Sequence, residues 1–162
     1  MAGDGTPVPH LRSATPADAP TIAALLTLLA EEEGLSARLD AAGVEAVLTR
    51  FARAVLAEAA GVSVGVGLFY PGYDLDTATT GVHLEALVVA PAWRGAGLGR
   101  QLMAAVADAT RAEGGAWVAW YARAANRRAR RFYRQLGAVE ERYLNLYLQD
   151  APFAALTAQR LP

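Results

Sequence analysis

Apolar positions in the first 50 residues repeat at helical spacing and predict two helices. The segment Thr15–Asp18 is a helix start, because Thr15 can cap, Pro16 fits the first turn and Asp18 lies near the positive end of the helix dipole. The apolar face that follows consists of Ile22, Leu25, Leu26 and Leu29. Glu31–Glu33 and Gly34 are predicted to end this helix, and a second helix is predicted over 40–50.

Residues 53–58 and 62–70 are predicted to form a hairpin of two strands around Ala60-Gly61. Alanine-rich sequence at 52–58 favours a helix by propensity alone. The strand prediction depends on the alternation of apolar and small residues that follows, at Val62, Val64, Val66 and Leu68. A short first strand is predicted at His10–Ser13, and a polar loop at Pro71–Thr80.

The second half of the chain predicts five further elements. They are a buried strand at Val82–Val89, an amphipathic helix at Gly97–Glu113, a strand at Ala116–Tyr121, a helix at Asn126–Leu136 ended by Gly137, and a last strand at Val139–Leu148. We expect a single domain over 10–150, with a flexible tail at 1–9 and a C-terminal extension at 151–162.

The amino-acid composition excludes several classes of catalytic and binding site. The 162 residues are 54% hydrophobic and 19% charged, which is typical of one globular domain. All 15 basic residues are arginine and there is no cysteine, which excludes a Schiff-base lysine, a Walker-type lysine loop, a thiolate nucleophile and disulfides. Two histidines are too few for a histidine-based metal cluster.

The net charge of −1 gives no general attraction to nucleic acid or to an anionic membrane. We see no signal peptide and no apolar run of membrane-spanning length, so the expected location is cytoplasmic.

The segment Arg94–Gly99 reads Arg-Gly-Ala-Gly-Leu-Gly and lies between a predicted strand and a predicted helix. Glycine permits a positive φ and a close approach of the backbone to a ligand. Free N–H groups at a helix N-terminus favour an anion, and a diphosphate would fit. A dinucleotide fingerprint needs a small residue where Arg100 stands. On spacing alone, a tight turn without a ligand stays open.

Two segments in this order resemble the signatures of the GNAT superfamily of N-acetyltransferases. Arg94-x-x-Gly97-x-Gly99 is similar to (Gln/Arg)-x-x-Gly-x-(Gly/Ala), and Asn126–Ala138 is similar to N-x-x-A-x-x-F-Y-x-x-L-G-A. The opening Leu11–Asp18 also resembles that of many members. Val64–Tyr70 and Leu84-Glu85 resemble the diamine (spermidine/spermine) acetyltransferase-like branch.

The resemblance implies an α/β GNAT (acyl-CoA N-acyltransferase) fold, with a mixed, mostly antiparallel sheet flanked by helices. It implies that a primary amine of a small molecule (diamine, polyamine or amino-acid-like) attacks acetyl-CoA directly, without a metal. A homodimer is carried over from the branch, with no nucleic-acid or membrane partner. The alternatives are a peptide or protein N-acetyltransferase and a non-catalytic acyl-CoA-binding regulatory domain.

The same resemblance implies where acetyl-CoA binds. Backbone N–H groups of the turn, with Arg100, would hold the pyrophosphate, the strand end would pair with the pantetheine arm, and Asn126 would contact the cofactor. A Val88 or Val89 N–H would bind the thioester oxygen. The full set is Leu87, Val88, Val89, Arg94, Gly95, Ala96, Gly97, Leu98, Gly99, Arg100 and Asn126.

Two residues match catalytic positions of the family. Tyr133 matches the general acid, and a phenol is protonated at neutral pH because its ordinary pKa is near 10; the alternative is that Phe132 and Tyr133 are only core aromatics. Glu85 lies in an apolar strand, where a charge is costly, and matches a carboxylate that binds or deprotonates the acceptor. The alternative is a buried glutamate paired with an arginine. Ala86 stands where the branch often has aspartate, which counts against a polyamine.

Several other residues have open roles. Asp74 and Asp76 are acceptor contacts or turn formers, and His83 lies on the Glu85 face as a pocket or structural residue. The arginine-rich helix is interpreted as a solvated face rather than an RNA-binding surface, because the chain has no overall basic excess. Its arginines are Arg127, Arg128, Arg130, Arg131 and Arg134.

Overall fold

The computed structural model describes residues 7–35 and 40–158. The chain divides into two compact units, Met1–Arg123 and Ala124–Pro162. Most of the predicted N-terminal tail lies outside the described residues, as do the last four residues of the predicted C-terminal extension.

The first unit contains a five-stranded sheet in the order β1-β2-β3-β4-β5. Neighbouring strands are antiparallel from β1 to β4, and β5 is parallel to β4. The strands are β1 (His10–Ser13), β2 (Arg53–Ala59), β3 (Val62–Asp74), β4 (Thr79–Val89) and β5 (Val118–Trp120). The predicted mixed, mostly antiparallel sheet is therefore confirmed, as is the hairpin of β2 and β3.

The predicted helices are also confirmed, with small shifts at their ends. Those of the first unit are α1 (Ala19–Glu32), α2 (Ala41–Arg50) and α3 (Leu98–Ala112), and that of the second is α4 (Arg127–Gln135). The second unit also contains α5 (Asp150–Ala158), a helix that was not predicted. Short 3-10 turns at Pro16–Asp18 and Pro91–Trp93 precede α1 and the glycine-rich segment. Asp40 caps α2 by accepting a hydrogen bond from the Gly43 N–H at 2.8 Å.

The core lies on both faces of the sheet. On one face, α1 and α2 pack against alternate residues of β2, β3 and β4, including Leu56, Val66 and Val88. On the other face, α3 lies close to two glycines of β3. An added Cβ at Gly65 would be 3.0 Å from Leu102 Cδ1, and one at Gly67 would be 3.0 Å from Val106 Cγ2. These glycines let the helix approach the strand backbone.

The predicted loop at Pro71–Thr80 was mostly wrong. Strands β3 and β4 continue to Asp74 and Thr79, and Gly72 pairs with Gly81 across the hairpin. The real turn is short, because Asp74 Oδ1 accepts hydrogen bonds from the N–H groups of Asp76 at 2.9 Å and Thr77 at 3.4 Å.

The predicted last strand at Val139–Leu148 was also wrong. Residues 138–149 have no regular secondary structure, and apolar side chains there are exposed, including Val139 and Leu146. A strand needs a second strand to supply its hydrogen bonds, and no described segment pairs with this one. The alternation of side chains in this segment therefore predicted a strand that does not form.

Candidate functional site

The segment between β4 and α3 is a turn that contains two glycines in the left-handed conformation. Gly95 and Gly97 both have φ of +86°, a left-handed conformation that favours glycine. Gly97 is the N-cap of α3, and Leu98 is buried and anchors the first helical turn. N–H groups of that turn have no carbonyl within the helix to reach, and the helix dipole adds positive potential. Space is open around Gly95 and Gly97, with no heavy atom within 4 Å of an added Cβ.

Arg94, the first residue of the turn, directs its guanidinium at the protein. Its Nε donates to the Val89 carbonyl at 2.7 Å, and its Nη2 lies 2.6 Å from Glu32 Oε1 at the end of α1. The side chain is 22% exposed. Sequence reasoning missed these contacts, and the acidic run at Glu31–Glu33 is the only sequence signal that points to them.

Strand β4 has an unpaired edge beside this turn. Strands β4 and β5 pair at only three positions, the last being Leu84 with Trp120. Among the described residues of the first unit no strand pairs with the later part of β4 on that side, although β4 continues to Val89. The carboxyl half of β4 therefore presents backbone groups to a ligand that runs along the sheet.

Hydrogen-bond direction shows which residues face that edge. The Ala90 N–H donates to the Val64 carbonyl of β3 at 2.8 Å. Since backbone groups alternate in direction along a strand, Val88 also faces β3, and Leu87 and Val89 face the open edge. The Val89 carbonyl already accepts a hydrogen bond from Arg94. The remaining edge groups are the N–H and C=O of Leu87 and the N–H of Val89.

Glu85 is the extra residue of a β-bulge. Leu68 pairs with Ala86 and Phe69 pairs with Leu84, so Glu85 has no partner in β3. The bulge reverses the alternation, and Glu85 is exposed. The expectation of a charge buried inside an apolar strand was therefore wrong, and across 7–35 and 40–158 no arginine forms an ion pair with it.

Aromatic side chains cover the sheet face next to Glu85. The His83 ring stacks on Tyr70 with centroids 5.4 Å apart, and meets Trp117 edge-on at 5.2 Å. Burial raises the pKa of Tyr70, and the negative charge of Glu85 raises it further, as does Tyr121. The carboxylate of Glu85 is thus close enough to Tyr70 to act on its phenol. The shared face of Glu85 and His83 stays a prediction, because the bulge interrupts the strand alternation between them.

A pocket of about 360 Å³ opens on this aromatic face. It is lined by Tyr73, Asp74, His83, Trp117 and Ala119. Gly72 and Gly81 make room for the indole, because an added Cβ at either position would lie within 2.6 Å of the Trp117 ring. The indole Nε1 is buried and finds no hydrogen-bond partner in the described part of the chain.

Asp74 forms the hairpin turn at the mouth of this pocket. Hydrogen bonds from Thr77, first from its side chain, and from the Asp76 backbone lower the pKa of the Asp74 carboxyl. Turn formation, one of the two predicted roles, is thus observed for Asp74.

The second unit contains the other signature residues. Asn126 is the N-cap of α4, and its Oδ1 accepts a hydrogen bond from the Ala129 N–H at 3.0 Å. Tyr133 is half-buried on α4, with its ring centroid 5.2 Å from that of Phe132. Arg130 donates from Nε to Oε1 of Glu140 at 2.9 Å and from Nη2 to its Oε2 at 2.8 Å. One arginine of the basic helix therefore has a structural role.

Among the residues with described positions, no cluster of three or more His, Cys, Asp or Glu side chains is placed to bind a metal ion. None of the described helices combines the length and apolarity needed to span a membrane.

A model of the Acetyltransferase (GNAT) family matches residues 22–138. A comparison with curated proteins found no match. The fold is similar to a ribosomal-protein-alanine N-acetyltransferase from Brucella melitensis biovar Abortus 2308, with TM-score 0.75 and 22% identity over 88% of this chain and 100% of that one.

Two aminoglycoside acetyltransferases are also similar in fold. One, solved in complex with CoA, has TM-score 0.77 and 22% identity over 92% of this chain and 99% of that one. The other, from an uncultured soil metagenomic sample and in complex with sisomicin, has TM-score 0.76 and 18% identity over 87% of this chain and 95% of that one.

Proposed function

Because the chain belongs to the acetyltransferase (GNAT) family, we propose that it transfers an acetyl group from acetyl-CoA to a primary amine of a small molecule. The observation that carries this proposal is the unpaired edge of β4 leading into the glycine turn that opens α3. An elongated ligand with a diphosphate at one end matches both features.

The residues present fit acetyl-CoA, which supplies the activated acetyl thioester. Backbone N–H groups from Gly95 to Gly99 take the diphosphate at the start of α3, where no side chain crowds the turn. Arg100, in the first turn of α3, adds positive charge. Leu87 and Val89 present the edge groups for the amides of the pantetheine arm.

The N–H of Val89 is the better candidate for the thioester carbonyl oxygen. Val88 faces β3, whereas the Val89 N–H faces the open edge. A fixed backbone donor stabilises the negative charge that develops on that oxygen.

The acceptor is proposed to bind on the aromatic face beside Glu85. A cationic amine is attracted to the exposed carboxylate and to the π-faces of Tyr70 and Trp117. Glu85 then holds the ammonium and accepts its proton through water before the attack. Ala86 supplies no second carboxylate, which favours a short amine with an apolar part over a polyamine.

Tyr133 is proposed as the general acid that protonates the departing thiolate, on the basis of its match to the second signature. We expect Tyr133→Phe to lower kcat by about 100-fold, because a proton donor is lost. The Kd of CoA should hardly change. Tyr147→Phe, on an exposed tyrosine of the same unit, is the matched control. An unaltered kcat in Tyr133→Phe would remove this residue from the mechanism.

Glu85→Gln tests the acceptor side. The substitution keeps the shape of the side chain and removes its charge, so we expect a higher acceptor KM or a shifted pH optimum with unchanged CoA binding. The control is Glu45→Gln, on an exposed position of α2. If KM and the pH profile both stay as in the wild type, Glu85 has no part in acceptor chemistry.

The activity itself is tested by CoA release from acetyl-CoA over a panel of amines. The panel contains short alkyl and aromatic monoamines, diamines, polyamines, amino acids, an aminoglycoside and peptides with a free N-terminus. We expect release with at least one small amine. Release with peptides alone would replace the proposal by a peptide N-acetyltransferase, and CoA binding without any release would leave a binding domain.

A further inference from the structure

The C-terminal end of helix α1 carries negative charges that destabilise the helix. Its last residues are Glu31 and Glu32, its C-cap is Glu33, and its last turn contains no basic residue. Negative charge at the C-terminus of a helix is repelled by the helix dipole. A local conflict of this kind indicates that the charges serve a contact elsewhere.

Two of these carboxylates bind arginines from distant parts of the first unit. Glu32 Oε1 lies 2.6 Å from Nη2 of Arg94, the residue that begins the glycine turn after β4. Glu33 Oε2 lies 3.2 Å from Nε of Arg123, which follows the end of β5 at Trp120. Adjacent glutamates on α1 therefore bind one arginine after each of the two strands.

The two strands are not joined by backbone hydrogen bonds at this end. They are parallel, so their carboxyl ends lie at the same end of the sheet, and their pairing stops at Leu84 and Trp120. The contacts of Glu32 and Glu33 thus connect β4 and β5 beyond the last ladder position. Arg94 adds a bond to the Val89 carbonyl and fixes the turn to the strand edge.

We propose that the acidic end of α1 is a clamp, formed by Glu32–Arg94 and Glu33–Arg123, that sets the separation of β4 and β5 where the pantetheine arm binds. This inference rests on the proposed function. Glu32, Glu33 and Arg123 are positioning residues, and the Arg94 guanidinium holds the turn in place rather than contacting the diphosphate.

The clamp acts through geometry more than through stability. Its members are partly exposed, from 22% for Arg94 to 57% for Arg123, and exposed ion pairs contribute little to the free energy of unfolding. We therefore expect single substitutions to lower the Tm of the ligand-free chain by no more than about 3 °C. The larger effect is expected in CoA affinity.

A charge swap at Glu33 and Arg123 separates a clamp from simple electrostatics. If only net charge mattered, Glu33→Arg would tighten the binding of anionic CoA and Arg123→Glu would weaken it. The clamp predicts that both single variants weaken CoA binding by up to about fivefold, and that the double variant restores it. The Kd of CoA is measured by calorimetry, which requires no turnover.

A second pair of variants tests Arg94. If Arg94 bound the diphosphate, loss of Glu32 would free its guanidinium for the ligand and would tighten CoA binding. The clamp predicts instead that Arg94→Lys and Glu32→Gln both weaken CoA binding. Arg111→Gln is the control, because it breaks an exposed ion pair of 2.8 Å with Asp108 near the far end of α3.

The outcomes distinguish the two proposals. Wild-type protein that does not bind CoA contradicts the proposed function. Wild-type protein that binds CoA, with opposite changes in the two single charge variants or no change in any clamp variant, overturns the clamp alone.

Discussion

Gly97 and Gly114 have nearly the same backbone conformation at opposite ends of α3. Their φ values are +86° and +81°, and no heavy atom lies within 4 Å of an added Cβ at either position. Any side chain at these positions is strained by the backbone alone, since L-residues disfavour the left-handed region. A comparison of substitutions at the two positions therefore distinguishes the effect of backbone strain from the effect of losing a binding turn.

We expect Gly97→Ala and Gly114→Ala to destabilise the chain by a similar amount, about 1–2 kcal/mol, because each carries one strained residue. Only Gly97→Ala should raise the Kd of CoA, since Gly97 orients the N–H groups at the start of α3. Chemical unfolding and CoA titration measure the two effects. An equal loss of affinity in both variants would show that the turn has no special role.

Asp18 illustrates a charge whose function is structural. The Arg12 guanidinium donates to both of its oxygens, at 2.9 and 2.6 Å, and hydrogen bonds from Thr15 add to this. These bonds, with that of Arg12 first, hold the pKa of Asp18 well below its usual range. Arg12 also binds Glu58 of β2 at 2.6 Å, which lowers the pKa of that carboxyl. The two contacts together tie β1 to β2 and to the start of α1.

A carboxyl whose pKa is lowered in the folded chain makes the free energy of unfolding decrease as the pH falls. The contribution of Asp18 is present above its unfolded pKa, near 3.8, and is lost as the pH falls toward the folded value. We expect Asp18→Asn to be less stable than wild type at pH 7, and the difference between the two unfolding midpoints to shrink as the pH falls below about 3.8. Asp108→Asn, in an exposed ion pair, is the control. A constant difference between wild type and Asp18→Asn at all pH values would contradict this.

At the scale of elements, β3 and α3 depend on the two glycines between them, which differ in what surrounds them. An added Cβ at Gly65 would lie 2.9 Å from the Val88 carbonyl oxygen, which is backbone and cannot move freely. At Gly67 the nearest atom is Val106 Cγ2 at 3.0 Å, which belongs to a side chain that can shift. The two positions therefore have unequal tolerance.

We expect Gly65→Ala to destabilise the chain by about 1–3 kcal/mol and Gly67→Ala by less, because overpacking costs most where the neighbour is rigid. Urea unfolding midpoints measure the difference. The reverse order would show that β3 moves away from β4 more easily than the Val106 side chain rotates.

Elements that bury one face were predictable from sequence, and elements that depend on partners were not. Helices α1 to α3 carry clear periodicity because each has a polar and an apolar side. Strands β2 and β3 are buried on both faces, and they were predicted instead from the turn at Ala60-Gly61 and the alternation of apolar and small residues after it. The segment 139–148 shows the same alternation but lacks a paired strand among the described residues. The hairpin end at Asp74 was missed because its turn residues also occupy the last positions of the strands.

The candidate site also has parts that could be predicted from the sequence and parts that could not. The glycine turn and the second signature could be predicted from residue types, because each depends only on residues that are close together in the sequence. The bulge at Glu85 and the contacts of Arg94 could not, since both arise from the register of β4 on β3 and from the position of α1.

At the scale of the whole molecule, the proposed cofactor should stabilise the native state. A ligand that binds only the folded chain adds about 2.7 kcal/mol at 100 times its Kd. For a chain of this size we expect CoA to raise the Tm by about 5–10 °C. AMP, which lacks the diphosphate and the pantetheine arm, should raise it less. Equal shifts with CoA and AMP would indicate that the β4 edge takes no part in binding.

The unpaired edge of β4 has a consequence for solubility. Exposed strand edges template the addition of strands from other molecules, and proteins usually protect them against such association. The apolar residues Leu87 to Val89 form an edge of this kind within the first unit, and Arg94 blocks only the Val89 carbonyl. A bound pantetheine arm would occupy the other groups. The cofactor that donates the acetyl group would then also protect the enzyme from aggregation, and the chain should aggregate most readily where CoA is scarce.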